Sequence, residues 1–275
     1  MTDLAPEAYA QSDYFQREKR SLFAREWLCF GAAGQLAAAG DFVNHTLGGW
    51  PVFAVRGADG AVRGFRNICR HQGMPVLDKP TGQCSEIRCR FHGWTYDLSG
   101  RLIKAPDQYP PPQPMEQIGL DAFELVEGDG LLFGRLEPGT ADRPTPVALG
   151  AGRYEAAVTT DVDANWKSVV SSLLAEPARL FVWPNVFMFD RGEVRVARQI
   201  VPRTFSRTRL IDLLFTSGAA PAIAAIESEA QADKKKAEAL QAQLAAGAPG
   251  PDAPQCREFR RRVEADCAAA DAATT

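Results

Sequence analysis

Two short cysteine–histidine pairs constrain this chain more than any other feature. Cys69-Arg70-His71 is followed, after seventeen residues, by Cys89-Arg90-Phe91-His92. One Cys-x-x-His alone is weak, because a buried cysteine near a core histidine gives the same string. Two pairs, each offering a thiolate and an imidazole from one β-loop, match a 2Fe-2S cluster in which imidazoles replace the thiolates on one iron. That exchange lowers the negative charge on the iron and raises its potential. A Cys2His2 zinc site is the competing chemistry. The flanks favour the cluster. Gly73 and the run Gly93-Trp94-Thr95-Tyr96-Asp97-Leu98-Ser99-Gly100-Arg101-Leu102 supply small residues that let backbone amides approach the sulfurs, and aromatics that shield them. The expected ligands are Cys69 and Cys89 on one iron and His71 and His92 on the other.

Composition bounds what else the chain does. With 31 Lys+Arg against 34 Asp+Glu the net charge is -3, which leaves no basic field for gripping a phosphate backbone. No run approaches the roughly 18 apolar residues that would span a bilayer. Nucleic acid and membrane partners are therefore not expected. Met1 to Ala10 lacks the basic and apolar segments of a secretory leader, which places the protein in the cytoplasm. The six cysteines, at 29, 69, 84, 89, 256 and 267, are too scattered for a disulfide framework, so reduced thiols and metal chemistry are expected.

Along the chain the pattern predicts an α+β protein in five stretches. Residues 1–40 read as an N-terminal helical segment: Tyr14, Phe15, Leu22, Phe23, Trp27 and Leu28 share one side of a helix over 12–28, with Ser12 as its N-cap. Residues 41–138 shorten to strand-length runs such as Trp50 to Val55 and Val62 to Phe65, with Asp59-Gly60 turning between them. The Pro/Gly/Thr-rich stretch over 139–160 reads as a linker. Residues 161–220 offer a helix from Ala164 to Leu174 and then a three-strand meander at Leu180 to Phe189, Val194 to Ile200 and Thr208 to Phe215, with Arg191-Gly192 turning the first pair. Residues 221–275 read as a helical polar tail whose Lys234-Lys235-Lys236 run is a solvated face.

Taken together, Asn67-Ile68-Cys69-Arg70-His71-Gln72-Gly73, Phe91-His92-Gly93-Trp94-Thr95-Tyr96 and Asn165-Trp166-Lys167 resemble the α subunit of the Rieske non-haem iron oxygenases, the aromatic-ring-hydroxylating family. The resemblance runs from about Asp13 to Pro138 and resumes at Asn165. It implies a β-rich Rieske 2Fe-2S domain followed by a helix-grip catalytic domain. It also implies a second metal, a mononuclear iron on two histidines and one carboxylate. Rieske proteins of cytochrome bc complexes link their cluster loops by a disulfide; here Met74 and Phe91 stand at those positions. Cys84 then reads as a buried or loop thiol and Cys29 as core.

The second metal lacks its ligands. The chain has three histidines, and once His71 and His92 are taken only His45 remains. In the family's register Ala175 stands where the acid that bridges the two metals would be, Pro177 where a Tyr would be and Ala178 where the first ligand His would be. The pocket-walling strands that would follow are missing. Glu264 and Asp266 lie in the region of the third ligand but read as surface charges, and His45 as a structural histidine. No catalytic residue and no mononuclear iron ligand is therefore assigned, and whether the chain is itself an enzyme stays open.

Three functions remain. The first is one-electron transfer from a reductase or ferredoxin to a mononuclear-iron oxygenase partner, with a full-length α subunit in a mixed trimer as one possible partner. The second is a complete monooxygenase or dioxygenase with an unusual iron site. The third is a non-catalytic remnant with a folded cluster domain. The cluster potential is expected in the lower part of about -150 to +300 mV.

Overall fold

The structure, a computed structural model, describes residues 4–139, 152–176, 178–218 and 222–272. The fold is mixed α and β, with a β-rich first part and a helical C-terminal part. The first sheet has seven antiparallel strands: β1 (Leu28–Ala32), β2 (Asp41–Leu47), β3 (Trp50–Arg56), β4 (Val62–Arg66), β5 (Thr81–Gln83), β9 (Ala122–Gly128) and β10 (Leu131–Arg135), in the order β1-β10-β9-β4-β3-β2-β5. Its hairpins follow from the turn residues. Gly48 and Gly49 both take positive φ between the paired Leu47 and Trp50, the two-residue geometry that suits strand twist. At the next turn Asp59 accepts the Ala61 N–H at 3.1 Å while Gly60 takes φ +80°. A small sheet of β6 (Ile87–Arg88), β7 (Thr95–Tyr96) and β8 (Leu102–Lys104) stands beside it.

The second large sheet has five antiparallel strands: β11 (Arg153–Val162), β12 (Leu180–Val182), β13 (Val186–Arg191), β14 (Val194–Thr204) and β15 (Arg207–Thr216), in the order β11-β15-β14-β13-β12. Both of its faces are covered. On β13, Phe187 and Phe189 point into a core shared with α3 (Trp166–Leu174), α4 (Ile223–Ala245) and α5 (Pro254–Ala272). Val186 and Met188 point the other way, onto Trp27, Cys29, Leu131 and Phe133 at β1 and β10. The first sheet and the second sheet therefore share apolar cores.

Several expectations are corrected. The opening helix is α1 (Glu7–Ala10), then α2 (Ser12–Glu18), continued by one π-helical turn over Lys19–Phe23. Gln11, not Ser12, flanks α2, and no side chain caps it. Trp27 lies past the helices and Leu28 opens β1, so the 1–40 segment is not wholly helical. The linker expected over 139–160 ends earlier, because Arg153–Val162 pairs with β15 along its length; residues 140–151 lie outside the described residues. As an edge strand with one largely polar face, β11 carries a weak apolar signal. The expected three-strand meander is four strands, since Trp183-Pro184-Asn185 folds Leu180–Phe189 back on itself, pairing Val182 with Val186, and β11 adds the fifth strand of the sheet.

The expected polar tail is helical but docked. Ile226, Ala230, Ala237 and Leu244 of α4, and Cys256, Phe259, Val263 and Cys267 of α5, are buried. Alanines make up part of that stripe, which is why composition reads it as polar. Lys235 and Lys236 do face solvent, and Lys236 pairs with Glu176 at 2.7 Å. No helix among the described residues is long and apolar enough to cross a membrane.

Candidate metal centre

Cys69 and Cys89 open two loops with the same backbone wiring. The Cys69 N–H donates to Met74 O (2.7 Å) and the Gly73 N–H donates back to Cys69 O (2.9 Å). Likewise the Cys89 N–H donates to Trp94 O (2.8 Å) and the Gly93 N–H to Cys89 O (3.0 Å). Each loop closes on a glycine four residues after its cysteine, with φ +75° at Gly73 and +72° at Gly93. A Cβ at Gly73 would meet no protein atom within 4 Å, so the left-handed backbone by itself already favours glycine there.

The loops bring all four expected residues together. Both cysteines are 2% exposed and their thiols lie side by side. His71 Nδ1 and His92 Nδ1 are 3.1 Å apart, their ring planes nearly perpendicular. Burial, the leading cause, pushes the Cys69 thiol up, so a thiolate there needs a cation to hold it. Among the described residues no three His, Cys, Asp or Glu converge as they would around one ion. Two thiols paired inside and two imidazoles paired further out fit a group wider than a single metal.

Several neighbours escape a motif reading. Tyr96, fully buried, accepts the Arg70 N–H at 3.0 Å and sets its Oη 3.3 Å from Cys69 Sγ. Trp94 stacks on His71 at 5.0 Å and donates its indole N–H to Tyr109 O. Tyr109 lies 4.3 Å from the His92 ring and 5.4 Å from His71, partly covering both. Tyr109 sits in a Pro/Gln-rich loop where nothing in the sequence marks it. Beside His92 an open cleft of about 600 Å³ is lined by Arg88, Arg90, Phe91, Pro106, Gln108 and Tyr109.

The other singled-out residues lie elsewhere. The His45 ring nitrogens sit 2.6 Å from Phe30 O and 2.8 Å from Thr46 O, the ring stacks on Phe30, and burial lowers its pKa. Ala175 and Ala178 are exposed just past α3; Pro177 lies outside the described residues. Cys29 is core, its thiol pushed up to about 12 by burial, and Cys84 is half-buried beside Gly40 O. All six cysteines are free. Glu264 is exposed as expected, whereas Asp266 is half-buried with Oδ2 unpartnered. Burial raises its pKa, and it in turn helps raise that of Glu26.

Loops of this construction define an iron–sulfur domain of Rieske type, and residues 26–123 match the family described as the Rieske [2Fe-2S] domain. The chain is homologous to the α subunits of Rieske oxygenases. It is 29% identical over 178 residues to the glycine betaine monooxygenase oxygenase subunit of Pseudomonas aeruginosa, covering 60% of this chain and 41% of that one. It is 33% identical over 153 residues to the biphenyl 2,3-dioxygenase subunit alpha of Rhodococcus jostii, covering 55% of this chain and 33% of that one. The match to these relatives therefore spans a third to two fifths of their length. In fold it resembles the quaternary ammonium Rieske monooxygenase CntA, with TM-score 0.77 and 20% identity over 95% of this chain and 94% of that one. A naphthalene 1,2-dioxygenase from Rhodococcus sp. gives TM-score 0.71 at 17% identity, over 88% and 82%.

Proposed function

We propose that Cys69, His71, Cys89 and His92 hold a Rieske-type 2Fe-2S cluster, and that the chain passes single electrons from a reductase or ferredoxin to a mononuclear-iron oxygenase partner. The carrying observation is the pair of identically wired loops that sets two thiols together inside and two imidazole Nδ1 atoms 3.1 Å apart. When bound, the cluster supplies one-electron redox chemistry. The chain's own residues do the rest. Trp94, Tyr96 and Tyr109 limit water at the ligands, and Phe91, 56% exposed, gives a partner an apolar contact beside His92.

The carrier reading over a complete oxygenase is supported by the histidine count. His45, the one histidine outside the loops, has both ring nitrogens against carbonyl oxygens. A full-length α subunit, joined to this chain in a mixed oligomer, is the partner the homology suggests.

Iron and acid-labile sulfide analysis of the purified chain, with EPR of the dithionite-reduced form, tests this. Two irons and two sulfides per chain with a Rieske signal are expected, and His71→Ala or His92→Ala should abolish the visible absorption. A third, mononuclear iron would instead make the chain an oxygenase. Stoichiometric zinc without sulfide would overturn the cluster.

A further inference from the structure

The two ligand loops are wired alike but anchored differently. The second is bracketed by a strand pair, β6 leading in and β7 leading out, with Ile87 opposite Tyr96 and Arg88 opposite Thr95. The first has no such ladder. It leaves β4 after Arg66 and re-enters at Thr81 of β5, which pairs with β2. Two asparagine side chains stand where the missing ladder would be.

Asn67, 5% exposed, uses its whole amide. Its Oδ1 accepts the N–H groups of Val76 (2.9 Å) and Leu77 (3.0 Å), and its Nδ2 donates to Leu77 O (2.8 Å) and Asn44 Oδ1 (3.0 Å). Asn44, on β2, donates to Leu77 O (3.1 Å) and Lys79 O (3.0 Å). Its backbone N–H donates to Pro80 O (2.7 Å). Val76 lies two residues beyond Met74, the acceptor for the Cys69 N–H, so fixing Val76 and Leu77 fixes the carbonyl that orients Cys69.

We propose that Asn44 and Asn67 are positioning residues that staple the first ligand loop to β2 and β4, holding Cys69 and His71 opposite the independently braced Cys89 and His92. This rests on the ligand assignment above for its consequence, though not for the staple itself. Satisfied buried amides of this kind rigidify a loop, and removing one strands several backbone groups at once.

Hydrogen exchange by mass spectrometry on the full chain as purified, together with the rate of iron release to a chelator, tests it. Asn67→Ala should speed exchange over residues 72–80 about tenfold or more, leave the 84–96 loop and β14–β15 unchanged, and accelerate iron release several-fold. Asn67→Asp keeps the acceptor for Val76 and Leu77 and should fall between. If Asn67→Ala does not fold, Asn44→Ala, which removes only three of the side-chain bonds, decides by the same readouts. Unchanged exchange over 72–80, or an equal rise everywhere, would overturn the staple. Local exchange that responds as expected in a chain carrying no 2Fe-2S cluster would leave the staple standing and remove the ligand assignment.

Discussion

In the proposed cluster site, Tyr96 is placed to set how readily the cluster would accept an electron. Its oxygen already accepts the Arg70 N–H, so its own hydrogen is free to point at Cys69 Sγ, 3.3 Å away. A hydrogen bond to a ligand sulfur favours the reduced, more negative cluster. Tyr96→Phe removes the bond to the sulfur, worth about 1 kcal/mol, or about 40 mV for one electron, together with the acceptor of the Arg70 N–H. Protein-film voltammetry should therefore find the variant's potential lower by that order, with the EPR signal retained; an unchanged potential would show that the bond is not made. Asp266 makes a different case. Burial raises its pKa and that of Glu26, so the stability they contribute is present with both protonated, below the ordinary carboxylate range, and is lost as pH rises through the raised values. Asp266→Asn should stabilise the chain at pH 7 by on the order of 0.5 kcal/mol, discounted for partial exposure. It should also flatten the melting temperature between pH 4 and 7, measured by scanning calorimetry.

At the scale of elements, the two loops depend on left-handed glycines. Gly73→Ala meets no side chain, so its cost is backbone strain alone, about 1–2 kcal/mol. Urea unfolding should show that loss, with Gly73→Asn smaller; equal stability of Ala and Gly variants would mean that the loop relaxes to another turn. The Cys-to-Gly spacing of this device is visible in the sequence, as are the two Cys/His pairs, the Asp59-Gly60 turn and the long C-terminal helices. What the sequence hides is set by long-range packing. Val186 to Phe189 read as one apolar run because both faces of β13 are buried, so period alone could not locate the fold-back at Trp183-Pro184-Asn185. β11 resembled a linker because an edge strand needs few apolar residues. Asn44 and Tyr109 carry no local signal, since their partners are 23 or more residues and 15 or more residues away respectively.

For the molecule as a whole, one buried ion pair joins the chain's beginning to its second half. Glu18 on α2 accepts the Lys167 ammonium at 2.6 Å and the Trp166 indole N–H at 2.8 Å, both from α3, and Lys167 is fully buried. Burial depresses the Lys167 pKa against the raising effect of Glu18, which marks the desolvation the pair must offset. Lys167→Met leaves the Glu18 charge buried with only the indole to hold it, and should cost about 3–5 kcal/mol. Because Trp166 also packs on Phe23 and Phe259, the loss should act on the N-terminal segment and the α3–α5 core together as one cooperative transition. Adding Glu18→Gln to Lys167→Met removes the stranded charge while keeping an acceptor for the indole, and should recover most of the loss in a double-mutant cycle. Urea denaturation followed by tryptophan fluorescence and by the cluster's visible band would read both parts at once. Coincident transitions in the single variant, moved back together in the double, would show that Glu18 and Lys167 bind the two halves into one folding unit. A visible band that survives while fluorescence unfolds would show that the cluster-bearing part stands without them.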